Sequence, residues 1–296
     1  MANVRRVVFY AVDGSGMGHI TRLLAVARWV RRYVSVLEEE VPEILFLTSS
    51  EATQILLDAG FASFKVPSRE VVVGSGMELA SWRRLARQFI WQMLALFAPD
   101  LLVVDGMPAG SFEELLQVLD GPFKRGLLLE PLPEEVMHRP AHRSALALYQ
   151  AIAIPHDPEV IGAQPPMPNA RFCGKVLQFE RDELPSRAEA RASLGVADGT
   201  TLVYVSAGGS GEPVAEATLV GLVEALRGEP GVHLLVGAGP LYRGDSLARS
   251  NVTVFTGPQV TRYLAGCDAA VAAGGTTPST SCSTCASRAS SLPAAA

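Results

Sequence analysis

Short unbroken apolar runs alternate along the chain with longer stretches in which apolar residues recur every third or fourth position. The runs at residues 7–12 (V-V-F-Y-A-V), 44–48, 64–67, 101–105, 127–129 and 151–154 are of strand length, while 23–34, 51–59 and 80–97 have helical spacing. Strands without polar alternation are buried on both faces. That predicts a parallel sheet covered by helices and built from right-handed βαβ units. A proline cluster over residues 155–168 interrupts the pattern. The alternation then resumes with a helix at 186–194, opened by Ser186 and Glu189 at capping-box spacing. Strands follow at 202–206, 233–236, 252–255 and 269–273, with helices at 214–226 and from 261 onward. The expected fold class is α/β, with one Rossmann-like domain over 1–157, a linker over 158–185 and a second, incomplete Rossmann-like domain over 186–275. Residues 276–296 lack periodicity and nearly all large apolar side chains, so neither a strand nor a stable helix is expected there.

Candidate chemistry gathers at the turn after the first strand, where Gly14, Ser15, Gly16, Met17 and Gly18 lead into His19 and, three residues later, Arg22. A strand, a glycine turn and a helix N-terminus set backbone N–H groups and a histidine at the carboxyl edge of the sheet, where open α/β folds bind ligands. The turn also suits packing alone, and His19 also suits a helix cap. Asp105 ends the fourth strand on the same edge, where an acid either caps the next helix or pairs with a neighbouring base. Arg22 lies one turn into its helix, either solvated or in reach of a phosphate or acceptor. A second glycine loop, Ser206 through Gly211, follows the first strand of the second half. His138, His142, His156 and His233 share no ligand spacing, so no metal site is expected.

Composition narrows the classes. A chain of 296 residues with 48% hydrophobic and 19% charged residues is globular. Its net charge of -5, without basic blocks, gives no footprint for nucleic acid. No run is long and apolar enough to span a membrane, and residues 1–6 lead directly into a strand, so the cytoplasm is expected. Cys173 and Cys267 read as buried thiols, and a single C-x-x-C at Cys282 and Cys285 is weak support for zinc or redox work. Trp82, Arg83, Arg84, Arg87, Phe89, Ile90 and Trp91 fall on one helix. Packing of a half-buried helix explains them, with peripheral contact to an anionic membrane as the alternative.

The two glycine loops, in this order and about one domain apart, resemble the GT-B glycosyltransferases. The histidine after the last glycine of the first loop is similar to the branch containing the peptidoglycan N-acetylglucosaminyltransferase and the plant galactolipid synthases. The resemblance covers most of residues 5–275. It implies inverting, metal-independent transfer of a sugar from a nucleotide-diphosphate donor, a UDP-sugar being favoured, to a small-molecule or lipid-linked acceptor, with no cofactor. A lipid-linked acceptor would place the chain at the inner face of the membrane. His19 would deprotonate the acceptor hydroxyl, helped to stay neutral by the helix N-terminus, and Asp105 would hold its tautomer. Ser206, Gly208, Gly209 and Ser210 would face the donor diphosphate, because glycines let the backbone approach and a helix N-terminus favours negative charge. Phe255 and Thr256 match where the family grips the nucleobase, and Gly237 and Gly274 would line the same cleft. Acceptor recognition would fall on loops at 68–78 and 131–142.

Past Gly275 the family has a helix carrying a glutamate that holds the donor ribose, whereas this chain has Thr276, Thr277 and Pro278. Residues 275–284 can be encoded so that restoring one cytosine yields Gly-Tyr-Asn-Ser-Phe-His-Glu-Leu-Leu-His, which resembles the missing segment. The expectation is a truncated or frameshifted product with weak or absent activity. Two other classes share the architecture: a nucleotide-sugar 2-epimerase and a non-catalytic nucleotide-binding relic.

Overall fold

The computed structural model describes residues 4–11, 17–130, 132, 134–161, 167–208, 213–273 and 290–292. The chain forms two compact units, the first over Met1–Gly14 and His19–Val176 and the second over Leu177–Ala296 together with Ser15–Gly18. In the first unit the strands are β1 (Arg6–Ala11), β2 (Glu43–Thr48), β3 (Ala62–Lys65), β4 (Leu101–Asp105), β5 (Lys124–Leu128), β6 (Ala151–Ile154) and β7 (Ala170–Phe172). They form one sheet in the order β3-β2-β1-β4-β5-β6-β7, each neighbouring pair parallel. Val7, Val8 and Phe9 of β1 have no exposed surface, which is why successive positions of that strand are apolar. The chain winds outward from β1 through β2 to β3, then returns to the other side of β1 at β4. The order therefore reverses between β1 and β4, the position at whose carboxyl ends open α/β sheets bind their ligands.

Helix α1 (Gly18–Glu38) follows β1, and α2 (Gln54–Asp58) joins β2 to β3. Between β3 and β4 lie α3 (Arg69–Gly74) and α4 (Leu79–Phe97), and α4 buries Trp82, Ala86, Ile90 and Leu94, one position in four. Trp82 meets Phe112 edge to face at 4.8 Å, Arg83 lies 3.8 Å from Glu113, and Arg87 bonds to Gln117. The inner face of this helix is thus used for packing, while Leu85, Trp91 and Leu96 stay exposed. After β5 come α5 (Glu134–Met137) and α6 (Pro140–Leu146), and α7 (Pro158–Ile161) follows β6.

The second unit holds α8 (Arg187–Ser193), β8 (Thr201–Ser206), α9 (Pro213–Leu226), β9 (Val232–Gly237), β10 (Val252–Phe255), a 3₁₀ helix at Pro258–Gly266, β11 (Ala269–Ala273) and β12 (Ser290–Leu292). Its parallel sheet runs β10-β9-β8-β11-β12, reversing between β8 and β11 as the first sheet does between β1 and β4. Ser186 caps α8: its side chain accepts from the Glu189 N–H, and the Glu189 carboxylate accepts from the Ser186 N–H.

Three segments differ from the sequence reading. The linker expected over 158–185 contains β7, whose three residues pair with β6 and add a seventh strand to the first sheet. The expected acceptor loops are partly helical: Ser68 caps α3 by accepting from the Val71 N–H, and Pro140, which needs no N–H partner, opens α6. Within the tail expected to be irregular, Ser290–Leu292 pairs with Val271–Ala273 as strand β12, because the outer edge of β11 offers unpaired backbone groups. The rest of that tail, with Cys282 and Cys285, lies outside the described residues.

Candidate functional site

The reversal between β1 and β4 brings His19 and Asp105 together. The second residue of α1 is His19 and the last of β4 is Asp105. His19 Nδ1 lies 2.8 Å from Asp105 Oδ1. Donation from Nδ1 to the carboxylate leaves Nε2 as the basic nitrogen of an imidazole whose side chain is 22% exposed. Asp105 is fully buried and takes further donors from Arg22: Nε to Oδ2 at 2.7 Å and Nη2 to Oδ1 at 2.5 Å. The remaining Arg22 terminal nitrogen, Nη1, bonds to Glu130, just past β5. The H-x-x-R spacing makes this possible, since residues three apart on a helix share a face.

Burial works against a charged imidazole, but the hydrogen bond and the charge of Asp105 outweigh it and hold the His19 pKa above the ordinary histidine value. Asp105 thus acts against the helix N-terminus expected to help keep His19 neutral, and the net direction is upward. A carboxylate at hydrogen-bond distance is a larger effect than a helix end. The expected reach of Arg22 to a phosphate or acceptor is corrected. Its guanidinium is 6% exposed, and all three nitrogens are engaged by Asp105 and Glu130.

Gly106 explains how the imidazole fits. Its φ is +92°, and a Cβ added there would stand 2.7 Å from His19 Cε1. Only glycine satisfies both the backbone and the ring. The loop that follows is tied to the sheet by Glu114, buried, which accepts from the Tyr10 hydroxyl at 2.7 Å and the Phe112 N–H at 2.8 Å. Tyr149 donates to the Pro108 carbonyl at 2.7 Å. Glu130, Gly106 and Glu114 were not singled out from the sequence. The Asp-Gly pair at a strand end was the available signal for Gly106, and an acid among apolar neighbours in S-F-E-E-L-L was the signal for Glu114.

Of the first loop, Met17 precedes α1 and Gly18 is its first residue, while Gly14, Ser15 and Gly16 lie outside the described residues. In the second unit, Ser206 ends β8, buried, with its hydroxyl donating to the Gly237 carbonyl at 2.8 Å and accepting from the Gly208 N–H at 3.3 Å. Gly208 has φ +94° with open space where a Cβ would stand. Gly237 has a packing reason as well, because a Cβ there would meet the Tyr204 hydroxyl at 2.7 Å. The Phe255 ring lies tilted against Tyr263 at 4.8 Å and its carbonyl accepts from the Ala238 N–H, while Thr256 is exposed. Gly209, Ser210 and Gly274 lie outside the described residues. Among the described residues no group of three His, Cys, Asp or Glu side chains could hold a metal ion, and no helix is long and apolar enough to cross a membrane.

No protein-family model and no curated protein matches the chain. Solved structures do. The spinosyn forosaminyltransferase SpnP aligns with a TM-score of 0.64 at 16% identity, over 99% of this chain and 80% of that one. MurG from Acinetobacter baumannii aligns with a TM-score of 0.56 at 14% identity, over 98% and 79%. A Listeria monocytogenes protein described as a UDP-N-acetylglucosamine 2-epimerase aligns with a TM-score of 0.57 at 12% identity, over 93% and 75%. The fold is the two-sheet GT-B architecture, and its structural neighbours include glycosyltransferases.

Proposed function

We propose that this chain is a glycosyltransferase that moves a sugar from a nucleotide-diphosphate donor to an acceptor hydroxyl. The observation that carries the reading is the His19–Asp105 hydrogen bond at the strand-order reversal of the first sheet. Asp105 fixes the tautomer with the proton on Nδ1, so Nε2 takes the acceptor proton as the hydroxyl attacks the anomeric carbon and the nucleoside diphosphate leaves. A raised His19 pKa favours the next step, because the imidazolium formed is stabilised by the buried carboxylate. The loop after β8, starting with Ser206 and Gly208, receives the leaving diphosphate. UDP is the favoured nucleotide, and a lipid-linked acceptor would bring the exposed Trp91, Leu85 and Leu96 of α4, with Arg84, toward an anionic surface.

The test is incubation of the purified chain with labelled UDP-sugars and a panel of acceptors, alongside the chain encoded with one base restored after Gly275, each with its His19→Ala variant. Weak or absent transfer by the chain as it stands, measurable transfer by the restored chain, and a fall of roughly a hundredfold or more in the restored chain's His19→Ala are the expected results; measurable transfer that His19→Ala leaves equal overturns the role of His19. The epimerase reading is favoured by the fold shared with the Listeria protein. It requires a changed sugar without an acceptor, which product analysis of the same reactions separates. We also propose that the segment after Gly275 is read out of frame. A gene sequence that cannot yield the Tyr-Asn-Ser-Phe-His-Glu reading by one restored base overturns that.

A further inference from the structure

Asp105 Oδ1 receives hydrogen bonds from two residues at once, His19 Nδ1 at 2.8 Å and Arg22 Nη2 at 2.5 Å, and those two nitrogens are themselves 3.1 Å apart. Arg22 Nε holds the other oxygen, and Arg22 Nη1 is bonded to Glu130. A buried guanidinium so placed cannot greet a ligand, but it stands directly between one carboxylate and another beside the candidate base. We infer that Arg22 and Glu130 are positioning residues for His19: Arg22 grips both oxygens of Asp105 and governs how much of that charge reaches the imidazole, and Glu130 moderates Arg22 from its far side.

The charges facing His19 come from every element around it: Arg22 from its own helix, Asp105 from β4 and Glu130 after β5, with Cys173 after β7 close enough to feel Arg22. Their signs are opposed. Arg22 disfavours a protonated His19, and Glu130 favours one. Removing each charge therefore moves the imidazole in opposite directions, a pattern that a purely structural role does not produce. Geometry matters as well as charge, because a lysine supplies one ammonium where the planar fork of arginine spans both carboxylate oxygens.

The inference rests on His19 as the base, but its test needs no turnover. The His19 Cε1–H resonance of the full chain, assigned with His19→Asn, is titrated by NMR. Arg22→Gln is expected to raise the midpoint by roughly one pH unit, Glu130→Gln to lower it, and Arg22→Lys to fall between wild type and Arg22→Gln. Opposite shifts support the inference. An unmoved midpoint, or movement of both variants in one direction, overturns it. Should Arg22→Gln fail to fold, Glu130→Gln at a partly exposed residue decides alone: a downward shift supports, and no shift or an upward one overturns. Opposite shifts with no sugar transfer even by the chain with its frame restored leave this inference standing and remove the glycosyl-transfer reading. Transfer with unmoved midpoints does the reverse.

Discussion

Asp105 has no exposed surface and accepts three hydrogen bonds from two basic side chains, so its charge is fixed in place by its neighbours. Asp105→Asn keeps the volume but sets an NH₂ group against N–H donors. It is expected to cost the first unit about 3 kcal/mol, because a buried guanidinium loses the nearer of its two counter-charges and keeps only Glu130. Trp29, Trp82 and Trp91 all lie in that unit, so tryptophan fluorescence during urea unfolding measures the loss. His19 gives a second expectation. Its folded pKa is raised, so its contribution to stability is complete below the ordinary histidine value and is lost as the pH climbs through the folded value. His19→Asn should flatten the stability profile across that window, and denaturation at a series of pH values checks it. His19 and Asp105 were legible in the sequence because a glycine turn and a strand end place them without knowledge of packing. The duty of Arg22 was not, since a guanidinium one turn into a helix turns to water or to a carboxylate according to what the rest of the sheet supplies.

The loop leaving β4 depends on two residues that local propensity does not reveal. Gly106→Ala places a methyl group against the His19 ring in a backbone conformation that alanine resists, at an expected cost of about 1–3 kcal/mol. A displaced His19 Cε1–H resonance in the NMR spectrum accompanies it, and an unchanged resonance counts against the packing described. Glu114 answers to pH. Burial raises its carboxyl pKa despite hydrogen bonds from Tyr10 and the backbone, so the folded state holds the proton more tightly and stability falls as pH rises from the ordinary glutamate value through the raised one. Glu114→Gln removes that fall, and at neutral pH should lie within about 1 kcal/mol of wild type because an amide still accepts from the backbone and donates to the tyrosine oxygen. The strands β4, β6, β10 and β11 stand where the apolar runs put them, because a run of four or five mostly apolar residues between turn signals is too short for a helical period and reads as a strand. By contrast β7 has only Ala170, Arg171 and Phe172, with one residue buried, and α5 and α6 are too short for a period to show.

Each sheet of the molecule reverses its strand order once, at β1 and β4 in one unit and at β8 and β11 in the other. If the loop after β8 receives the diphosphate, Gly208→Val strains a residue at φ +94° by about 1–3 kcal/mol and weakens UDP binding roughly tenfold, read by calorimetry. The His19 titration midpoint should not move in that variant, because the residues that set it belong to the first unit. The arrangement β3-β2-β1-β4 also bears on how the chain reaches its native state. The first three strands can pair among themselves soon after synthesis, whereas β1 must wait for β4, and His19 for an aspartate 86 residues further along. Pairing across such a separation is slow, because the closure entropy is lost before the contact forms. Until that late pairing, Arg22 and His19 ride on a helix with no carboxylate to meet. The His19–Asp105 contact and the centre of the sheet therefore both wait on β4, and the Arg22–Glu130 pair waits further, on the end of β5.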